Sequence, residues 1–352
     1  MKRGAVGSSP AAFVDRCLRD EGDRGGATRA VGVICGETQT VFTARPRTSP
    51  QRDDGEPLFE IGSLTKVLTA ALLADLHLCG QVGLGDPLTR HLPDGEIPRW
   101  EGRVPTLEEL ATHRAALPNT PPPLARRELL AAAGVLRGDP WRGVGDDDYR
   151  RMLRAMRQRR PPGGRVRYSS IGFGLLGDAL ARHAGMSYEA LVHERICSPL
   201  GMADTVIDVA GARGRLLAGR SRRGAPRPPL RDYMPAAGSL RSTAPDLLRF
   251  LRACLHPSPG EPLAAALALA QQPRADINRH LSVGLGWLIL RRGDDRPVVW
   301  HNGGTWGFRS FAAFVPSRHL AVVVLSNAAR SVDRLGFTLV EGLGGDAAGV
   351  RR

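Results

Sequence analysis

The sequence predicts an α+β protein. It has a three-layer α/β/α lobe, with an antiparallel sheet formed from both chain ends and an all-helical lobe inserted between them. Three observations carry this. Strand-like runs occur before residue 45 and return after residue 283. The pattern from Thr106 to about Gly201 is mainly helical. Amphipathic segments lie near both termini, placed to flank a shared sheet. The expected division is 1–80 for the first part of the α/β lobe, 81–235 for a mainly helical lobe and 236–352 for the rest of the α/β lobe.

Taken in order, residues 10–22 have helical spacing and a glycine stop. Residues 29–36 and 39–44 read as a hairpin turning near Gly36-Glu37. A polar loop, 45–57, leads to an apolar helix over 63–79 that Gly80 ends. Residues 81–93 form a Gly/Pro-punctuated connector. Thr106 followed by Glu109 predicts a capping box. Helices are expected over 124–136, 146–158, 171–184 and 187–197, and another over 244–256 after an irregular stretch, 211–231. Residues 284–291, 297–302, 308–315 and 319–326 supply three or four antiparallel strands, and 331–343 a last helix.

Composition narrows the function classes. No run approaches the length of apolar chain that spans a bilayer, so no membrane segment is expected. The N-terminus continues into Gly-Ser-Ser-Pro, so no secretory leader is read and a cytoplasmic location is expected. Five scattered cysteines, without a Cys-x-x-Cys pair, fit free thiols and speak against a zinc site. No metal or cofactor is expected. The formal charge of +14 comes from arginine: of 49 basic residues only Lys2 and Lys66 are lysines. The densest stretch, Arg213 to Arg231, mixes seven arginines with Gly and Pro. Aromatic residues make up only 5%, and no basic stripe is interleaved with them, so nucleic acid is not an expected partner. An anionic small molecule or acidic protein suits the charge better. The oligomeric state is not legible.

Against that background Lys66 stands out. Arginine cannot lose its proton, whereas a buried lysine can. The only internal lysine lies three residues after Ser63, in Phe59-Glu-Ile-Gly-Ser-Leu-Thr-Lys66. Positions i and i+3 share a helix face, so Ser63 and Lys66 form a candidate nucleophile pair. The Ser63 N–H at a helix start suits an oxyanion. The plainer reading, a solvated helix lysine, is weakened by the scarcity of lysine elsewhere. Tyr168, in Arg165-Val-Arg-Tyr-Ser-Ser170, is a candidate general base if an ammonium stabilises its phenolate. Otherwise it caps a core. His301-Asn302-Gly303-Gly304-Thr305-Trp306-Gly307 is glycine-rich enough for a ligand to approach the backbone, with the Gly304 N–H as second oxyanion donor. Trp306 would either exclude water and cradle an apolar group or pack structurally. Gly172-Phe-Gly-Leu-Leu-Gly177 lacks the strand that a dinucleotide site requires, so helix packing accounts for it.

Taken together, Ser63-Leu-Thr-Lys66, Tyr168-Ser-Ser170 and His301-Asn-Gly303, in that order, resemble the class C β-lactamase and penicillin-binding-protein-like serine hydrolases over roughly residues 10–343. The resemblance implies a β-lactamase/transpeptidase-like fold and an acyl-enzyme on Ser63. Lys66 and Tyr168 would move the proton, and the N–H groups of Ser63 and Gly304 would form the oxyanion hole. Ser170, His301, Asn302, Gly303 and Trp306 would bind substrate. Two departures bear on the substrate: Ser170 stands where the family usually has Asn, and His301 where β-lactamases usually have Lys. Both point to a small ester, amide or thioester donor rather than a β-lactam or cell-wall peptide. Passing the acyl group to an amine or alcohol is the main alternative. A true β-lactamase or D,D-peptidase and a non-catalytic binding protein are further rivals.

Overall fold

In a computed structural model the described residues are 9–22, 26–46, 55–132, 135, 140–212, 214–230, 232–255, 257, 260–261, 263–292 and 296–344. Expectations for the N-terminal stretch 1–8, most of the loop 45–57, the end of the helix 124–136, Arg213, Arg231 and His256 lie wholly or partly outside them.

One eight-stranded antiparallel sheet organises the molecule. Its strands are β1 (Arg29–Cys35), β2 (Thr38–Ala44), β5 (Ala275–Asn278), β6 (Leu281–Val283), β7 (Leu288–Leu290), β8 (Val298–Gly304), β9 (Arg309–Val315) and β10 (Leu320–Ser326). The order is β2-β1-β10-β9-β8-β7-β6-β5, so the two chain ends meet where β1 pairs with β10, Val31 opposite Val324. A separate two-residue ladder joins β3 (Phe59–Glu60) to β4 (Arg241–Ser242).

Strand alternation divides the core into two layers. Val31, Val33, Phe311, Val322 and Val324 pack with Val14 and Leu18 of α1 (Pro10–Glu21) and with Leu335 and Leu339 of α11 (Asp333–Leu343). Ala30, Ala312, Phe314, Val323 and Leu325 face the larger cluster. That cluster includes α2 (Thr65–Leu78), α8 (Pro235–Gly238), α9 (Ala244–Leu255) and α10 (Ala264–Ala270). The helical region contributes α3 (Leu107–Ala111), α4 (Pro122–Ala132), α5 (Asp146–Ala155), α6 (Ser170–Ala184) and α7 (Tyr188–Val192). The three-layer α+β expectation holds.

Several boundaries have visible causes. Ser9 Oγ accepts from Ala12 N at the head of α1, with Pro10 in the first turn. Both bonds of the Thr106/Glu109 capping box form, at 3.2 and 3.0 Å. Gly185 ends α6 in the left-handed region. The expected strand 284–291 is shortened to β7, because Gly284 N–H donates to Trp287 O across a turn (2.9 Å). The expected helix 63–79 begins as a 3₁₀ turn, Gly62–Leu64, and is α-helical from Thr65. The helix expected over 187–197 is α-helical only to Val192 and widens to a π-turn over His193–Cys197. Among the described residues, no helix is long and apolar enough to cross a membrane. All five cysteines are free thiols.

Candidate active site

Helix α2 is the central feature of the site. Every residue from Thr65 to Ala74 is buried, so the helix runs through the core instead of lying on it. Buttressing is direct: Thr65 Oγ1 accepts from Leu240 N (3.2 Å), and Thr69 Oγ1 donates to Ala236 O (2.8 Å). These bonds fix α2 against α8. Lys66, fully buried at 0% exposure, has nowhere to extend except along the cleft floor. Its Nζ lies 3.2 Å from Ser63 Oγ, 3.3 Å from Ser170 Oγ and 2.6 Å from Ala237 O. A lysine nitrogen has three donor directions, and these three oxygens account for them.

The Tyr168 ring lies beside this nitrogen, 5.0 Å from Nζ to its centroid, and is partly exposed to the cleft. Behind it are two imidazoles. His113 is 4.5 Å from the Tyr168 ring between centroids, and His301 is 6.2 Å away. Burial, and then the charge of Lys66, push both histidines down, His301 to about 4 and His113 well below its ordinary range. His113 Nδ1 accepts from Ser169 N–H (3.2 Å), which places its proton on Nε2. At neutral pH both rings are therefore uncharged. His301 is buried beneath the cleft and does not line it.

Strand β8 closes the other side. Ser310 Oγ donates to Ile61 O at 2.7 Å, pinning the 62–64 turn to the sheet. A Cβ on Gly303 would stand 2.1 Å from Ile61 O and 3.0 Å from Ser63 N, so only glycine permits this approach. Thr305 N–H donates to Phe308 O (3.1 Å), making that pair hydrogen-bonded. By antiparallel alternation Gly304 and Arg309 are then a non-bonded pair, and the Gly304 N–H points away from β9. Strand β7 pairs with β8 only from Val298 to Trp300, so nothing in the sheet covers that edge at Gly304. Ser63 and Gly304 both line the cleft there.

Asn302 is different. Strand alternation turns its side chain to the opposite face, where Nδ2 donates to Asp333 at the start of α11 (2.9 Å). It does not line the cleft, which removes the side chain from the expected substrate-binding group. Trp306 does line it.

Asn119 has a place that the sequence did not reveal. Its Oδ1 accepts from both Ser170 N (3.1 Å) and Ser170 Oγ (2.9 Å), and it borders the cleft. Because a backbone N–H must meet an oxygen, the amide orientation is settled and Nδ2 faces away from Ser170. Leu117-Pro-Asn119 reads as an ordinary turn in sequence, 51 positions from Ser170, and carries no signal of this contact.

The cleft encloses about 1160 Å³. Trp141 and Tyr233 stack on one wall at 5.4 Å. Arg222, Arg223 and Arg227 rise from another. Among the described residues no group of three or more His, Cys, Asp or Glu is placed to hold a metal ion.

Comparison with known proteins adds family context to this geometry. The Beta-lactamase family model matches residues 14–340. The D-alanyl-D-alanine-carboxypeptidase/endopeptidase AmpH of Escherichia coli (strain K12) is 30% identical over 318 residues, covering 85% of this chain and 79% of that protein. A beta-lactamase of the same organism is 27% identical, over 77% of this chain and 76% of its own. The class C beta lactamase structure from Rhodobacter sphaeroides superposes with a TM-score of 0.75 at 26% identity, covering 96% of this chain and 98% of that one.

Proposed function

The chain belongs to the Beta-lactamase family, and from that premise we propose that it is a serine hydrolase that forms an acyl-enzyme on Ser63 and takes a small ester, amide or thioester as acyl donor. The observation that carries this reading is the buried Lys66 Nζ, 3.2 Å from Ser63 Oγ.

Ser63 Oγ attacks the donor carbonyl carbon as its proton leaves. In the amine form, Lys66 donates to Ala237 O and Ser170 Oγ and directs its lone pair at the Ser63 hydroxyl, ready to take that proton. Tyr168, whose ring centroid lies 5.0 Å from Lys66 Nζ, is the second group placed beside the lysine to take part in moving that proton. The carbonyl oxygen becomes an oxyanion and receives the N–H groups of Ser63 and Gly304. One such donor typically contributes about 10²–10³ in rate. Collapse breaks the bond to the leaving group, which departs with the proton. Water then attacks the Ser63 ester, and the same groups return the proton to Oγ as the acid is released.

Two features support the choice of substrate. His301, uncharged and buried, gives this chain no fixed cation where the family usually has lysine. Ser170 offers a shorter group than the usual Asn for holding a substrate amide, and Asn119, which borders the cleft, carries an amide beside it. Ser170 and Trp306 line the cleft, His301 and Gly303 lie beneath it as support, and the Asn302 side chain has no part in binding. Five free cysteines support action in a reducing compartment, the cytosol. Transfer to an amine or alcohol remains the second reading, favoured by Trp306 at the mouth, where an indole can exclude water.

A fluorophosphonate probe tests the proposal. The folded wild type should gain one adduct, located on Ser63, and Ser63→Ala should gain none. Equal labelling of both proteins would refute it. Incubating an activated ester with a panel of amines separates the two readings: amide product supports transfer, and free acid alone supports hydrolysis.

A further inference from the structure

The wall of the cleft beyond Gly304 has a charge pattern that acyl transfer does not require. Four arginines line the cleft, Arg222, Arg223, Arg227 and Arg309, against one carboxylate, Glu128. Glu128 is already engaged by Trp141 Nε1 at 2.9 Å. Some arginines elsewhere pair with carboxylates, as Arg195 does with Asp75 and Arg241 with Asp232. Among the described residues, none of the four cleft arginines has an ion-pair partner.

The arrangement is built, not a trailing loop. Arg220 N–H donates to Asn327 O (2.9 Å) and Gly307 O (3.2 Å), tying the loop to the end of β10 and to the β8–β9 turn. Within the loop Arg227 N–H donates to Gly219 O (2.8 Å), and Ser221 Oγ accepts from Ala225 N (3.0 Å). A Cβ on Gly307 would stand 2.5 Å from Gly219 Cα, so glycine at this crossing lets the loop sit directly on the turn. Arg309 wraps the same turn, with Nη1 2.6 Å from both Thr305 O and Phe308 O. Arg222 and Arg309 stand close enough to repel each other, with Asp333 acting against this at Arg309, and an incoming anion would relieve that repulsion. The stacked Trp141 and Tyr233 offer an apolar surface in the same cleft.

We infer that this end of the cleft binds an anionic group, a carboxylate or a phosphate, carried by the acyl donor at a distance from its reacting carbonyl, beyond an apolar stretch that lies on the aromatic wall. The inference rests on the acyl-enzyme reading for what the ligand does, but not for whether it binds. Guanidinium forks suit both oxyanions.

The test uses the Ser63→Ala chain, so that binding is read without turnover. 4-Phenylbutyrate, phenyl phosphate and the neutral 4-phenylbutyramide are titrated by ligand-observed NMR. At least one anion should bind about tenfold tighter than the amide, and the preference should weaken as salt rises. The tighter anion tells carboxylate from phosphate. The R222Q/R223Q/R227Q variant should lose the preference. The single Arg223→Gln, which spares the loop's backbone bonds, should reduce it even if the triple variant does not fold. Equal binding of acid and amide, absence of anion binding, or a preference that survives in the folded triple and single variants would overturn the inference. Failure of Ser63 labelling in the wild type would instead overturn the acyl-enzyme reading and leave this result standing.

Discussion

The floor of the cleft and its arginine wall are constructed on different principles. At the floor, α2, α8 and β8 meet backbone to backbone. Lys66 is sealed at 0% exposure, and the Gly303 backbone has no room for a methyl group. At the wall, the exposed Arg222, Arg223 and Arg227 stand on a loop that main-chain bonds tie to the end of β10 and to the β8–β9 turn. A packed interior tolerates little change in volume, whereas an exposed arginine can be replaced with small effects on stability. If Ser63 is the nucleophile and the arginines bind the donor, the floor governs whether Ser63 is acylated and the wall governs which donor acylates it.

The floor should break first and hardest. Lys66→Arg keeps the charge but removes the ability to give up a proton, and should lower Ser63 acylation by roughly 10²–10⁴-fold, read by stopped-flow with an activated ester. A near-normal rate would transfer proton movement to Tyr168 alone. Gly303→Ala comes next. Its methyl would push β8 from Ile61 O and from the Ser63 N–H, displacing the Gly304 donor. The expected loss is about 10²–10³-fold in kcat, together with an overpacking cost of about 1–3 kcal/mol in urea unfolding.

Legibility followed the same division. Strands β1, β2 and β8–β10 have long apolar or alternating runs, and α1, α6 and α11 have clear caps or periodicity, so each was readable. Strands β5 and β6 were not: they are short, and β5 is largely exposed, so no burial pattern marks it. The β3–β4 ladder pairs two residues with two others far along the chain, and only tertiary contact defines it. In the site, Ser63, Lys66, Tyr168, Ser170, Gly304 and Trp306 were found through short motifs, and the structure brings them into one cluster around a single cleft. Asn302 was placed wrongly because a motif gives residue order, while strand parity gives the face. Asn119 was missed as a cleft residue because its contact with Ser170 is a long-range hydrogen bond from an unremarkable turn, and the arginine-rich loop 219–227 stood out by its charge but not by its place beside the cleft.

The buried imidazoles sharpen the contrast through pH. His301 is neutral in the folded chain down to about pH 4, whereas the unfolded chain takes up a proton near its ordinary value of 6.5. Between those values the unfolded state binds more protons, so stability rises with pH and falls as pH drops through this window. His113, lowered in the same direction, adds to it. His301→Gln should flatten the slope by up to about 1.4 kcal/mol per pH unit, measured by urea unfolding from pH 7 to pH 4. The arginine wall has no such group, and R222Q/R223Q/R227Q should leave the slope unchanged.

The smallest expected effect lies where floor and wall meet. Asn119→Ala removes the acceptor for Ser170 N and Oγ, and with it the amide donor at the cleft edge. A net hydrogen bond or two is about five- to tenfold in rate, so kcat/KM for an amide-bearing donor should fall by that amount, and less for a plain alkyl ester. A structural loss in the turn would produce a similar number, so the single variant is not sufficient. Ser170→Asn introduced into Asn119→Ala places an amide back beside Lys66 from the opposite side. If Asn119 supplies the amide that Ser170 lacks, the double variant should recover most of the loss, giving a coupling that exceeds additivity by about tenfold. Additive rates would make Asn119 a turn residue only, and the contact between the two regions would then be a matter of packing.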